Sequence, residues 1–265
     1  MTLLQFIVFF CFGMIERRKV PQSERVRKGP LSYHILVGFF CVSGFALSTY
    51  SLQLLNFPTW LLFKSSRVVF TMLGGVLINK KRYGVFEYTG VLFIFFGLVV
   101  FTWGDWAVSP SFNTPGIFLI ALALSMNAAQ DNFQEKGLHE YGVSENELVV
   151  YSYGIGSLML LPYLLISGEF FEGLSFCIAN PTAFVQIIVS SLLAYVGIVF
   201  VLALSNQTSA LVAVITTSCR KALSIIASFI LFDKPFSINY IYGTVLVFTG
   251  VFFNFYGKRV RSKKK

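Results

Sequence analysis

Histidine and acid are what this sequence has least of. Two histidines, His34 and His139, and 12 carboxylates are spread over 265 residues. No cluster of His, Cys, Asp and Glu has metal-ligand spacing, and no nucleophile beside a base can be picked out, so an enzyme has little support. Cysteine is as scarce: Cys11, Cys41, Cys177 and Cys219 show no framework spacing. Three of them are expected to pack as small apolar residues in helices, and Cys177 is expected in a lumenal connection. Charge of either sign is thin, at 12% of residues, which is too little for a water-soluble domain of this length. Strict period-two alternation is lacking as well, and that excludes an outer-membrane barrel.

What fills the chain is apolar surface. Hydrophobic residues make up 55% and aromatics 17%, with a mean hydropathy of +0.72. Apolar runs long enough to cross a bilayer predict helices at 1–15, 31–52, 58–78, 84–103, 114–134, 147–167, 181–204, 208–232 and 238–256. Helices are the remaining way to satisfy a spanning backbone. The first run has neither a basic start nor a small-residue cleavage site, so a signal peptide does not fit it. The expected fold class is an all-α integral membrane bundle.

Basic residues report the orientation. "ERRKVPQSERVRKG" carries six, "NKKRY" three, "EKGLHEYGVSEN" one and the tail "KRVRSKKK" six, while Lys234 alone falls on the opposite side. The positive-inside rule therefore assigns these connections and the C-terminus to the cytosol. The net charge of +9 is a topology and lipid-headgroup signal that requires no nucleic acid. The sequon at Asn206 falls in a tight turn on that cytosolic side and should stay unglycosylated.

Sliding the chain on itself by 153 residues superimposes Ser65 on Ser218, Arg67 on Arg220, Lys81 on Lys234, Gly90 on Gly243, Gly97 on Gly250, Gly104 on Gly257 and Gly44 on Gly197. The expectation is a duplication: a first half over 1–103 with four helices, a second over 114–256 with five, and a basic cytosolic tail over 257–265. An odd number of helices per half makes the two halves inverted in the membrane. The same offset maps the helix at 114–134 ahead of Met1, so nine of ten intended spans are expected, with the first helix missing.

Four cations remain, and all lie inside predicted helices: Lys64, Arg67, Arg220 and Lys221. A cation at mid-bilayer costs about 2.5–3.5 kcal/mol on insertion scales. The carboxylates read as nearest to spans, Glu87 and Asp131, are too few to offset them, so an anionic ligand is expected. Lys64 and Arg67 are three apart and share a helix face. Arg suits phosphate or sulfate through its fork, and Lys as a point charge. Hydroxyls at Ser65, Ser66, Thr216, Thr217 and Ser218 are candidate further donors. Tyr50, Tyr151, Tyr153 and Tyr195 are candidates to stack on a base. The bland alternatives are ion pairing with Asp131 as a structural lock, hydroxyls bonded back to their own helix, and aromatics used for packing or interface anchoring.

Four segments, "LNFPTWLLFKSSRVVFTMLGG", "FNTPGIFLIALALSMNAAQDNFQEK", "ENELVVYSYGIGS" and "FVLALSNQTSALVAVITTSCRKALSIIASFILFDKPFS", resemble the nucleotide-sugar transporter superfamily, solute carrier family 35, subfamily B. Within it the likeness is strongest to carriers of 3′-phosphoadenosine 5′-phosphosulfate (PAPS). The resemblance implies a drug/metabolite-transporter-type bundle of ten helices in the Golgi membrane, with the endoplasmic reticulum as the alternative. It implies exchange of cytosolic PAPS for a lumenal nucleotide such as adenosine monophosphate (AMP) or adenosine 3′,5′-bisphosphate, supplying lumenal sulfotransferases. The alternatives within the subfamily are a UDP-sugar or ATP/ADP exchanger, or a truncated inactive form. No cofactor is implied; the partners are the anionic nucleotide, membrane lipids and, as an open option, a second copy in a homodimer. The expected substrate-binding set is Lys64, Ser66, Arg67, Tyr151, Tyr195, Thr217, Arg220 and Lys221. Trp60, Phe70 and Asn127 depart from the pattern, which has Gln, Pro and Asp there.

Overall fold

A computed structural model of the chain describes residues 2–19, 27–55, 60, 63, 64, 66–104, 113–231 and 238–263. Among these it is helical, with no strand. In chain order the helices are α1 (Thr2–Lys19), α2 (Leu31–Leu54), α3 (Arg67–Leu77), α4 (Val85–Gly104), α5 (Thr114–Glu140), α6 (Glu145–Ser167), α7 (Glu169–Ala179), α8 (Pro181–Gln207), α9 (Ala210–Leu231) and α10 (Ile238–Lys263). Among the described residues three are long and apolar enough to cross a membrane: Leu31–Leu54, Glu145–Ser167 and Pro181–Gln207. Shorter apolar stretches occur in the others, at Arg67–Leu77, Val85–Gly97, Ala210–Arg220 and Val245–Gly257.

The helices follow the apolar runs, with several differences. The predicted helix at 58–78 corresponds to α3, and Pro58, Thr59, Leu61, Leu62 and Ser65 of that run lie outside the described residues. The expected lumenal connection around Cys177 is itself helical: Gly168, at φ +80, caps α6 in the left-handed conformation and opens α7 directly. Glycine takes that conformation without a β-carbon penalty, and Glu169 and Glu172 then suit the N-terminal end of α7. Finally, α10 does not stop at the apolar boundary but runs through the first part of the basic tail to Lys263, and α8 reaches Gln207, moving the tight turn to Thr208 and Ser209.

Burial departs from that of a protein folded in water, although apolar cores are present. Large apolar side chains face outward, among them Phe118, Leu158, Ile166, Leu193, Phe200 and Phe252, while His34, Asn132, Glu135, Glu147 and Asn254 are buried. Exposed apolar side chains in this number mark an interaction surface, and hydrocarbon is the partner that spanning helices meet.

The chain divides into two compact units. One comprises Met1–Ser43 with Phe133–Ser209, the other Gly44–Asn132 with Ala210–Lys265. Each therefore draws residues from both expected halves. In the first unit α1 lies antiparallel to α6: Gly13 faces Val149 and Val150, and Gly154 faces Phe10. Phe6 and Phe9 both meet the Tyr153 ring edge-on, and Val37, Leu148, Tyr195 and Leu202 complete that core.

In the second unit α4 and α10 form an antiparallel pair seated on glycine. A β-carbon added to Gly90 would lie 2.7 Å from the Gly250 carbonyl oxygen, and one added to Gly97 would lie 2.8 Å from that of Gly243. Spaced seven apart, these glycines let the backbones touch, which is how helices associate when the solvent is as apolar as leucine. Val68 and Met72 of α3, Val91 and Ile94 of α4, Leu211, Val214 and Ile215 of α9 and Val247 of α10 form the core beside them. Gly97→Val would push a branched side chain into backbone that cannot rotate away, and overpacking of this kind costs about 1–3 kcal/mol. The expected result is a lower thermal unfolding midpoint in detergent. Gly173→Ala, where an added β-carbon meets nothing within 4 Å, should leave that midpoint unchanged. Equal midpoints for Gly97→Val and the wild type would contradict this packing.

Candidate functional site

Lys64, Ser66, Arg67, Thr217 and Arg220 lie in the second compact unit and Tyr151 and Tyr195 in the first. Arg67 opens α3, and its guanidinium grips Asp131 of α5: Nη2 donates to Oδ1 at 2.7 Å and to Oδ2 at 2.9 Å, and Nε donates to Oδ2 at 3.2 Å. Thr71, one turn along α3, donates its hydroxyl to the same Oδ2 at 3.4 Å. The next residue of α5, Asn132, fastens the two helices from the other side, its Nδ2 donating to the Thr71 carbonyl at 3.0 Å while its Oδ1 accepts from Asn79 at 3.2 Å. The i and i+4 spacing of Arg67 and Thr71 is what lets both reach one carboxylate.

Lys64 extends its ammonium over the Trp60 ring, 4.0 Å from the centroid, a cation–π contact. Trp60, one of the three residues that depart from the family pattern, also donates its indole N–H to the Ser48 carbonyl at 2.9 Å. Arg220 is exposed on α9, whose Leu211, Val214 and Ile215 pack with Val68 and Met72 of α3. The helices that carry Arg67 and Arg220 are thus in contact. Lys221 is a residue of α9, and its side chain lies outside the described residues.

The hydroxyls are committed to their own helices. Ser66 donates to the Phe63 carbonyl at 2.5 Å, Thr216 to Val212 at 2.9 Å, and Thr217 and Ser218 both to Val214 at 2.9 Å. An anion needs protons, so in this arrangement they offer it lone pairs only. Tyr195 and Tyr153 are buried core residues, whereas Tyr50 is exposed. Tyr151 stacks on His34 with ring centroids 4.7 Å apart, and the Arg17 guanidinium carbon stands 5.2 Å from its centroid.

One carboxylate near a span was passed over in favour of Glu87 and Asp131. Glu147, buried at the start of α6, accepts from the backbone N–H of Lys28 at 3.1 Å and of Gly29 at 3.2 Å, and from Nε2 of the fully buried His34 at 3.1 Å. The signal was in the sequence: Ser144-x-x-Glu147 is a capping-box spacing, and the Ser144 hydroxyl does accept from the Glu147 N–H at 3.2 Å. Glu87 plays a comparable part at α4, accepting from the Gly84 N–H at 2.7 Å. Asn206, in the sequon, donates to Glu145 at 2.7 Å.

Comparison with known proteins bears on what such an arrangement serves. The sequence profile of the UAA transporter family matches residues 1–258. The chain belongs to the UAA transporter family. Among curated UAA-type relatives it is similar to proteins named adenosine 3′-phospho 5′-phosphosulfate transporter 2. The one from Aedes aegypti is 39% identical over 98% of this chain and 68% of its own length. That from Caenorhabditis briggsae is 38% identical over 99% of this chain and 72% of its own length. That from Pongo abelii is 39% identical over 98% of this chain and 65% of its own length. The chain thus spans roughly two thirds of the length of these relatives. Family and fold class together make it a helical membrane transporter, as the resemblance of the four segments implied.

Glu147 orders the connection into α2, and its loss is measurable. Glu147→Ala would leave a buried imidazole and two backbone N–H groups without their acceptor, at about 1–3 kcal/mol for each buried group left unsatisfied. The expected result is a lowered unfolding midpoint and new protease cleavage around residues 27–30; Glu147→Gln, which keeps one acceptor oxygen, should lose less. Equal protease resistance of Glu147→Ala and wild type would contradict the role.

Proposed function

We propose that this chain is a secondary antiporter that moves PAPS from the cytosol into the Golgi lumen in exchange for AMP or adenosine 3′,5′-bisphosphate. The observation that carries the reading is the packing of α3 on α9 within one unit, through Val68, Met72, Leu211, Val214 and Ile215. Those are the helices that bear Arg67 and Arg220. Arg67 and the exposed Arg220 thus lie on two touching helices of a chain poor in acid, where an anion can draw on both. The fork of Arg67 has the geometry that phosphate and sulfate accept. The adenosine phosphosulfate is taken from the names of the relatives.

The inverted repeat belongs to the same proposal. Under the 153-residue offset Gly90 maps to Gly243 and Gly97 to Gly250, so the contact of Gly90 with Gly250 maps onto that of Gly97 with Gly243. Such reciprocity is the mark of a two-fold relation between packed elements. The same offset pairs Arg67 of α3 with Arg220 of α9. A pseudo-two-fold axis through these pairs would deliver a cation from each half to a shared cavity, the arrangement that alternating access around a midplane site uses. In this reading Arg220 and Lys221 neutralise phosphate or sulfate, Lys64 and Arg67 hold the second anionic group, and Ser66 and Thr217 donate only after their hydroxyls turn from the helix. Tyr151, half-buried beside Arg17 in the first unit, is kept as a candidate to stack on a base.

The test is uptake of labelled nucleotides into AMP-loaded liposomes containing the purified protein. PAPS should enter faster than a UDP-sugar or ATP. Arg220→Gln should lower exchange at least about tenfold, or ~1.4 kcal/mol of transition-state stabilisation, while the protein stays folded. Undiminished exchange by Arg220→Gln would contradict the site, and preference for a UDP-sugar or ATP would contradict the substrate.

A further inference from the structure

We infer that Asp131 is the carrier's resident anion: it holds Arg67 while the site is empty and yields it to the phosphate or sulfate of the substrate, thereby setting how tightly substrate is held. The inference rests on the anion-carrier reading above. Its basis is the asymmetry of the pair. The Arg67 side chain is 38% exposed and that of Asp131 only 14%, so the carboxylate lies behind the guanidinium and the guanidinium faces the open side. The contacts with Asp131 use Nε and Nη2, and Nη1 lies outside the pair.

A carboxylate bound through two oxygens is an imitation of the anion an arginine fork would otherwise take. Asp131 is kept in place by its own surroundings: Thr71 donates to it, and Asn132 rivets α5 to α3 at the next residue. It therefore stays poised when Arg67 turns to a substrate, and retakes the guanidinium when the substrate leaves. The substrate must displace a neighbour already optimally bonded, which weakens apparent affinity by the fraction of time Arg67 is unoccupied. In return, the emptied site carries one uncompensated cation fewer while it waits for the next nucleotide.

Three variants test this. Asp131→Asn removes the competitor and leaves Arg67 in place. If Asp131 holds Arg67 about nine tenths of the time, half-saturating PAPS should fall about tenfold, and the maximal exchange rate should fall with it because release slows. Adenosine 3′,5′-bisphosphate should likewise raise the thermal midpoint of purified Asp131→Asn at about tenfold lower concentration than wild type. Arg67→Gln with Asp131→Asn should lose that gain. Unchanged or weaker affinity in folded Asp131→Asn overturns the inference. Should that variant fail to fold, the exchanged pair Arg67→Asp with Asp131→Arg decides. A structural lock survives the exchange and transports normally, which overturns the inference, whereas a folded exchanged pair that neither binds the bisphosphate nor transports supports it. The thermal measurement separates the two readings: tighter bisphosphate binding by Asp131→Asn in a protein that moves no PAPS sinks the carrier reading alone. PAPS transport by wild type with no change in Asp131→Asn sinks the counter-anion alone.

Discussion

A charge surrounded by hydrocarbon has to find its opposite, and the second compact unit is arranged around that requirement. Arg67 meets it with Asp131, through a bidentate fork that a lysine could not reproduce. A pair of this kind is weak as a source of stability, because removing both ions from water costs about what their attraction returns. What it supplies is position: α3 and α5 are held in one register by Arg67, Thr71 and the neighbouring Asn132. The same constraint governs Glu147 in the first unit, where a buried carboxylate is satisfied by two backbone N–H groups and His34.

Packing answers to the same solvent. In lipid the outward apolar side chains gain little by leaving their surroundings, so association depends on close backbone approach and on polar bonds between helices. The glycine contacts of α4 with α10 and of α1 with α6 fit that demand, and large aromatics fill the spaces around them. The compact units pair helices far apart in the sequence for this reason. A helix finds its best partner in the element with matching small residues, wherever that lies in the chain.

Helix positions were legible because a run of about twenty apolar residues has few other uses. α7 was not legible as a helix: it is short, with no buried residue, so no burial pattern marks it, and its start depends on the left-handed turn at Gly168. The cations were legible as anomalies, and the contact of α3 with α9 was foreshadowed by the match of Arg67 with Arg220. The bond from Arg67 to Asp131 was weighed only as an alternative, since a separation of 64 residues leaves no local signal. Glu147 carried a readable cap motif, but nothing local reveals that the cap reaches back to Lys28, Gly29 and His34. The hydroxyls of Ser66 and Thr217 were read as candidate donors with bonding to a nearby carbonyl as the alternative, and the carbonyl three residues back is where these protons go.

A site that must be neutralised before it can reorient predicts obligatory exchange, and that is the claim most open to measurement. Uptake of labelled PAPS should be followed into protein-containing liposomes that either hold AMP or adenosine 3′,5′-bisphosphate inside or are empty. Initial uptake into loaded liposomes should exceed that into empty ones by about tenfold or more, the ratio for a difference of ~1.4 kcal/mol between the barriers of loaded and empty return. Equal rates into loaded and empty liposomes would mean that the cations of α3 and α9 cross without an anion, and would contradict the account.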